Sequence, residues 1–278
     1  MERRTAVTTR TIPRPVILPA GARLLDAMAE ALESLGATSG QVELLDGSLS
    51  RVSYCIPALC HDGSAAVTFS STHEALVPAR VIAGSATVGF RDGERLAHCH
   101  AAWFDANGDV RGGHLWWETV IGPGPVHAIV HALDEVELIN DTDPECNLPV
   151  FMPHPCPSRN LDQSGSVRAV MSRLAPGVEV ASAVREIMRE QGFERASIAG
   201  SVGSLVGAVF RRGDSVLVVE GPATEVALTG EFDLSEPAAA RISGIAIDRF
   251  GAVHAGQLVE EESIVACTLD LLVEEIMR

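Results

Sequence analysis

Apolar residues recur every fourth position in two separate stretches, and each stretch stops at a glycine. Leu24, Met28 and Leu32 fall on one helical face ahead of Gly36, and Val180, Val184 and Met188 do so ahead of Gly192. Each predicted helix leads into a strand-like run that reaches Gly-Ser-Leu, at Gly47-Ser48-Leu49 and again at Gly203-Ser204-Leu205. The residues that follow (79–90, 215–219 and 225–230 among them) are small or β-branched and are punctuated by Gly-Asp, Asp-Gly and Glu-Gly pairs, the pattern of strands joined by tight turns. One helix with several mostly antiparallel strands predicts an α+β domain in which the helix covers one face of the sheet.

The two stretches are matched well beyond their helices. An offset of 156 residues lays Gly21 on Gly177, Gly36 on Gly192 and Val42 on Ile198; at 146, Gly84 meets Gly230. At 143, Asp105, Gly108, Val110, Gly113 and Leu115 meet Asp248, Gly251, Val253, Gly256 and Leu258. Matched glycines in one order at three nearly constant offsets point to a tandem duplication. The drift places about a dozen extra residues in the first copy, mostly around 61–78. Two similar domains are expected, at 16–142 and 167–278. Residues 1–15 read as a flexible tail. Residues 143–166, with Pro144, Pro149, Pro153, Pro155 and Pro157, read as a Pro-rich linker packed along a domain surface.

The chemistry concentrates in one predicted hairpin. His98-Cys99-His100 in a strand sends both histidines to one face and Cys99 to the other. A three-residue loop at Ala106-Asn107-Gly108 then sets His100 directly across from His114. A loop of two or four residues would turn His114 to the other face unless a bulge at Gly112-Gly113 restored the register. Three histidines with no fixed fourth partner are the ligand set of an open metal site, and zinc or another divalent ion is expected, one per chain. The second copy has Arg241, Ser243 and Gln257 in the three places while keeping the turn at 248–251, so the ligands are separable from the fold. Glu118, four residues beyond His114 on the same strand and so on the same face, is the candidate general acid or base.

Composition narrows the partners. The net charge is −16, which opposes binding to a phosphate backbone, so direct DNA binding is not expected. All 21 basic residues are arginine, which removes mechanisms that need a Schiff-base or P-loop lysine. No apolar run is long enough for a membrane helix, and a cytoplasmic protein with reduced cysteines is expected.

His98-x-His100 followed by Asp105-x-x-Gly108-x-Val110-x-Gly112-Gly113-His114-Leu115 resembles the signature of the PPC ("plants and prokaryotes conserved") domain family. The likeness covers about 120 residues of the first copy. It is fainter in the second, through Gly203-Ser204-Leu205, Gly221-Pro222-Ala223-Thr224-Glu225 and 248–258. The resemblance implies a compact α+β domain, a homotrimer, and a metal on the three histidines. Plant members of that family couple the domain to AT-hooks; Pro13-Arg14-Pro15 lacks the Arg-Gly-Arg core such a hook needs. Three functions stay open: a metal-dependent hydrolase or lyase on a small molecule, a non-catalytic oligomerisation module, and a DNA-associated regulator.

Overall fold

The structure, a computed structural model, describes residues 3–65, 67–159, 161, 165–221, 224–236 and 240–277. The first half runs β1 (Arg4–Leu18), α1 (Leu24–Ser34), β2 (Gly40–Arg51), the short strands β3 (Ser53–Cys55), β4 (Pro57–Ala58), β5 (Thr68–Phe69) and β6 (His73–Glu74), then β7 (Ala79–Arg91), β8 (Glu94–Phe104), β9 (Val110–Leu115) and β10 (Val120–Leu133). A hairpin of β11 (Val136–Asp143) and β12 (Leu148–Pro155) follows. The second half runs β13 (Val167–Leu174), α2 (Val180–Gln191), β14 (Arg195–Leu205), β15 (Ala208–Arg212), β16 (Ser215–Val219), β17 (Thr224–Asp233), β18 (Arg241–Ile247), β19 (Val253–Gln257) and β20 (Val265–Glu275). The fold is α+β and mostly antiparallel.

Outward from β1 the strands are ordered β1-β10-β2-β7-β8-β9, and outward from β13 they are ordered β13-β20-β14-β17-β18-β19. The two orders correspond strand for strand. β1 and β13 pair antiparallel, Arg4 with Leu174 through Thr11 with Val167, and so join both halves into one continuous sheet.

Each half buries its helix on one sheet face. Leu24, Met28 and Leu32 of α1 pack with Val42, Val130, Cys99 and Trp103; Val180, Val184 and Met188 of α2 pack with Ile198, Val226 and Leu228. The predicted periodic positions are the ones buried, and both helices stop where expected: Gly36 and Gly192 take the left-handed backbone that ends a helix without a Cβ clash. The opposite faces of the two half-sheets meet, with Ala102 of β8 packing against Ala227, Ile245 and Ile247. The layering is helix, sheet, sheet, helix, and the site lies in the seam between the sheets. Among the described residues no helix is long and apolar enough to cross a membrane.

Two sequence expectations need correction. Residues 1–15 are not a flexible tail from residue 4 onward, because β1 is a central strand. Its N-terminal part pairs with β13, and its C-terminal part, Thr11 to Leu18, pairs with β10. Pro13 and Pro15 fall where pairing to β13 has ended, so their missing N–H groups cost no ladder bond on that side. Residues 143–166 are likewise not a plain linker. Leu148–Pro155 is a strand paired with β11 throughout, Leu148 opposite Asp143 and Pro155 opposite Val136. Its prolines at 149, 153 and 155 occupy alternating positions, which keeps all three absent donors on the edge away from β11. Residues 160 and 162–164 of that segment lie outside the described residues, as do Pro222 and Ala223.

Candidate metal centre

The β8–β9 hairpin has the register that a three-residue loop requires. His100 pairs with His114, Ala101 with Gly113, and Phe104 with Val110. Asp105 N–H donates to the Asp109 carbonyl at 2.9 Å, and Gly108 closes the turn with φ at +83°. The Asp105 carboxylate accepts from the N–H groups of Asn107 and Asp109, so the turn is fixed by a local Asx interaction. The β18–β19 turn is built the same way around Asp248, and there Ser243 pairs with Gln257.

Alternation along β8 does the rest. Cys99, Ala101 and Trp103 enter the core under α1, while His98 and His100 face the second half. Gly112 and Gly113 permit close approach on both sides of β9. A Cβ on Gly113 would lie 2.4 Å from the Cys55 carbonyl oxygen, and one on Gly112 would lie 2.6 Å from the Ile247 side chain.

The three imidazoles converge. His98 Nε2 lies 3.2 Å from His100 Nε2, and His114 Nδ1 lies 3.3 Å from the same atom. One ligand atom from each ring falls within a group spanning 4.8 Å. Two nitrogens bound tetrahedrally at 2.0–2.1 Å from zinc are separated by about 3.3–3.4 Å, so the two short contacts match edges of such a site.

The outer partners come from the second half. His98 Nδ1 donates to Asp270 Oδ2 at 2.9 Å, and His100 Nδ1 donates to the Val226 carbonyl at 3.1 Å. With both Nδ1 protons committed, both Nε2 atoms present lone pairs inward, which is the orientation metal-binding histidines take from their outer hydrogen bonds. Burial, reinforced by His98 and His114, holds His100 well below the ordinary histidine value, and burial with His98 lowers His114 to about 3. Both rings are therefore neutral at pH 7. Imidazole nitrogens that face one another at 3.2–3.3 Å fit a divalent cation between them, and the donor set suits zinc.

The triad forms part of the wall of a cavity of about 320 Å³. The rest of the lining is mainly apolar: Leu24, Leu25 and Met28 from α1, Val67 and Phe69 from the inserted segment, and Val150 from β12. Phe69 and Trp116 stand against the His114 ring, with centroids 5.3 and 4.7 Å away.

Glu118 is placed differently from the expectation. Strand β9 ends at Leu115, so Glu118 does not continue the His114 face; it sits in the turn Trp117-Glu118, within electrostatic reach of Arg51 and outside the cavity lining. The early end of β9 also lets the consecutive residues Trp116 and Trp117 both line the cavity.

The carboxyl that does line the cavity is Glu225, on β17 of the second half. It is 3% exposed, its oxygens have no well-formed hydrogen bond, and burial, partly offset by the backbone N–H of His114, raises its pKa well above the carboxylate range. Sequence reasoning missed it. The available signal was its position in Thr224-Glu225-Val226-Ala227, where alternation groups it with Ala227 on the face opposite the α2 core.

A comparison with curated proteins gives no match. Among solved structures, a plant- and prokaryote-conserved (PPC) protein from Pyrococcus horikoshii is similar at 16% identity and TM-score 0.42, covering 52% of this chain and 94% of that one. A metal-containing protein from Archaeoglobus fulgidus is similar at 19% identity and TM-score 0.39, covering 51% and 93%. A hypothetical protein from Salmonella is similar at 26% identity and TM-score 0.35, covering 40% and 78%. At family level the match falls on the half whose motif likeness is the fainter: residues 161–277 match the Plants and Prokaryotes Conserved (PCC) domain.

Proposed function

We propose that this chain binds one zinc or similar divalent ion at His98, His100 and His114 and acts on a small molecule held in the adjoining cavity, as a metal-dependent hydrolase or lyase. The observation that carries this reading is the convergence of three imidazole nitrogens on the wall of a largely apolar cavity. When bound, the ion supplies Lewis acidity toward an oxygen of the substrate. Asp270 and the Val226 carbonyl hold two of the rings in the required orientation, and the apolar walls exclude water and strengthen the local electrostatics.

We read the two halves as copies of one domain. Support comes from the corresponding strand orders and the shared Asp-turn, with Ser243 and Gln257 paired where His100 and His114 pair in the first half. In this reading the second half keeps the fold and supplies the outer partners. A role on DNA is disfavoured by the charge of −16.

A purely structural metal is the competing use of the same histidines, and coordination separates the two. In protein loaded with cobalt in place of zinc, a tetrahedral visible spectrum that shifts on adding a small ligand such as azide is the expected result, because three protein ligands leave a position open. A tetrahedral spectrum indifferent to added ligands would assign the metal a structural role.

A further inference from the structure

Glu225 is the one acidic side chain among the residues lining the cavity. Burying a carboxyl group whose oxygens have no well-formed hydrogen bond is costly, and a ligand group that hydrogen-bonds to it would offset that cost. Leu24, Met28, Phe69 and Val150 make the nearby surface apolar, which fits a tail and not a second polar head. A charged head of either sign would have to leave water for a mainly apolar wall, and Arg91, the cation on the lining, is already engaged with Asn140 and Asp92. The volume of about 320 Å³ lies at the small end of ligand sites, which run roughly 300–1,000 Å³.

Resting on the reading of the triad as a metal centre, we propose that the cavity takes a compact, neutral molecule with an apolar tail and a carbonyl-type head. The carbonyl oxygen faces the three histidines, and an adjacent N–H or O–H donates to Glu225. The class is that of amides and hydroxy-carbonyl compounds of apolar acids. It makes Glu225, contributed by the second half, the residue that selects a hydrogen-bond donor beside the carbonyl.

Straight-chain alkyl hydroxamates carry this head on tails of adjustable length. Calorimetric titration of the zinc-saturated full chain with the series from two to ten carbons should show Kd falling roughly three- to fourfold per methylene until the cavity is full, then rising. Glu225→Gln, also zinc-saturated, should weaken every member roughly three- to tenfold by exchanging the carboxyl partner for an amide. If that variant does not fold, Leu25→Trp provides the second reading, because filling the wall formed by α1 should shorten the best tail. Zinc binding is measured in the same samples by competition with a chromophoric chelator. Zinc bound with Kd indifferent to tail length, or hydroxamate affinity unchanged in Glu225→Gln, overturns this inference and leaves the metal centre standing. No zinc binding overturns both.

Discussion

His114→Ala is expected to lower zinc affinity roughly 10²–10³-fold while the chain stays folded. Zinc binding to structural protein sites is worth about 10–16 kcal/mol; shared over four ligand positions, that is about 2.5–4 kcal/mol for each. The fold should survive because the hairpin is held by backbone pairing and by the Asp105 turn, neither of which uses the imidazole. The paired position in the second half carries Gln257 in the same strand arrangement. Chelator competition measures the affinity, and circular dichroism of the metal-free variant measures the fold. If His114→Ala unfolds where the metal-free parent remains folded, the histidine is a packing residue and the metal assignment loses its main support.

The second large effect is in stability and depends on pH. His131 is buried on β10, between Glu43 on β2 at 3.0 Å and Glu274 on β20 at 2.9 Å, and Thr11 also donates to Glu274. Burial alone would lower the imidazole pKa; the hydrogen bonds to Glu274 and Glu43, with their charge, outweigh it and raise the pKa to about 9. A group whose pKa rises on folding stabilises most when it is protonated in both states. This contribution is therefore full below about pH 6.5 and is lost as pH climbs through about 9. The pKa difference corresponds to about 3 kcal/mol.

Urea unfolding of metal-free wild type and His131→Gln at pH 7 and pH 10 tests this. Above pH 7, His100 and His114 are neutral in folded and unfolded chains alike, and thiol ionisation in the unfolded chain affects both proteins equally. The stability gap between the two proteins should shrink by about 2–3 kcal/mol over that interval. A gap that does not change with pH would mean the imidazolium is not what joins β10, β2 and β20.

The hairpin was legible in the sequence because its geometry is local. Asp105, Asn107 and Gly108 specify a three-residue loop, the loop specifies the register, and the register brings His100 opposite His114 within fifteen residues of chain. The helices were legible for the same reason: a fourfold apolar repeat and a terminal glycine are sufficient.

What was hidden depends on distant partners. β1 begins rich in Thr and Arg and reads as a polar tail, yet Thr11 bonds to Glu274, Arg10 to Ser166, and Arg4 to Glu190. Residues that meet their partners only after folding carry no periodic mark of burial. The strand at 148–155 was hidden by prolines that matter only on a side facing another strand. Glu225 lies 127 positions beyond His98, and its link to the triad exists only because the two half-sheets face each other across the seam. Glu118 was misplaced by the opposite error, extending a strand past Leu115 on local alternation alone.

In the proposed function, three histidines of the first half, with no counterpart in the second, hold one divalent ion. Elemental analysis of protein made without a histidine tag, purified in zinc-supplemented, chelator-free buffer and then desalted, tests it most directly. One zinc or similar divalent ion per 29.4 kDa chain is the expected result. Two equivalents would mean that Arg241, Ser243 and Gln257 do not mark a lost site, and a value near zero would contradict the metal centre itself.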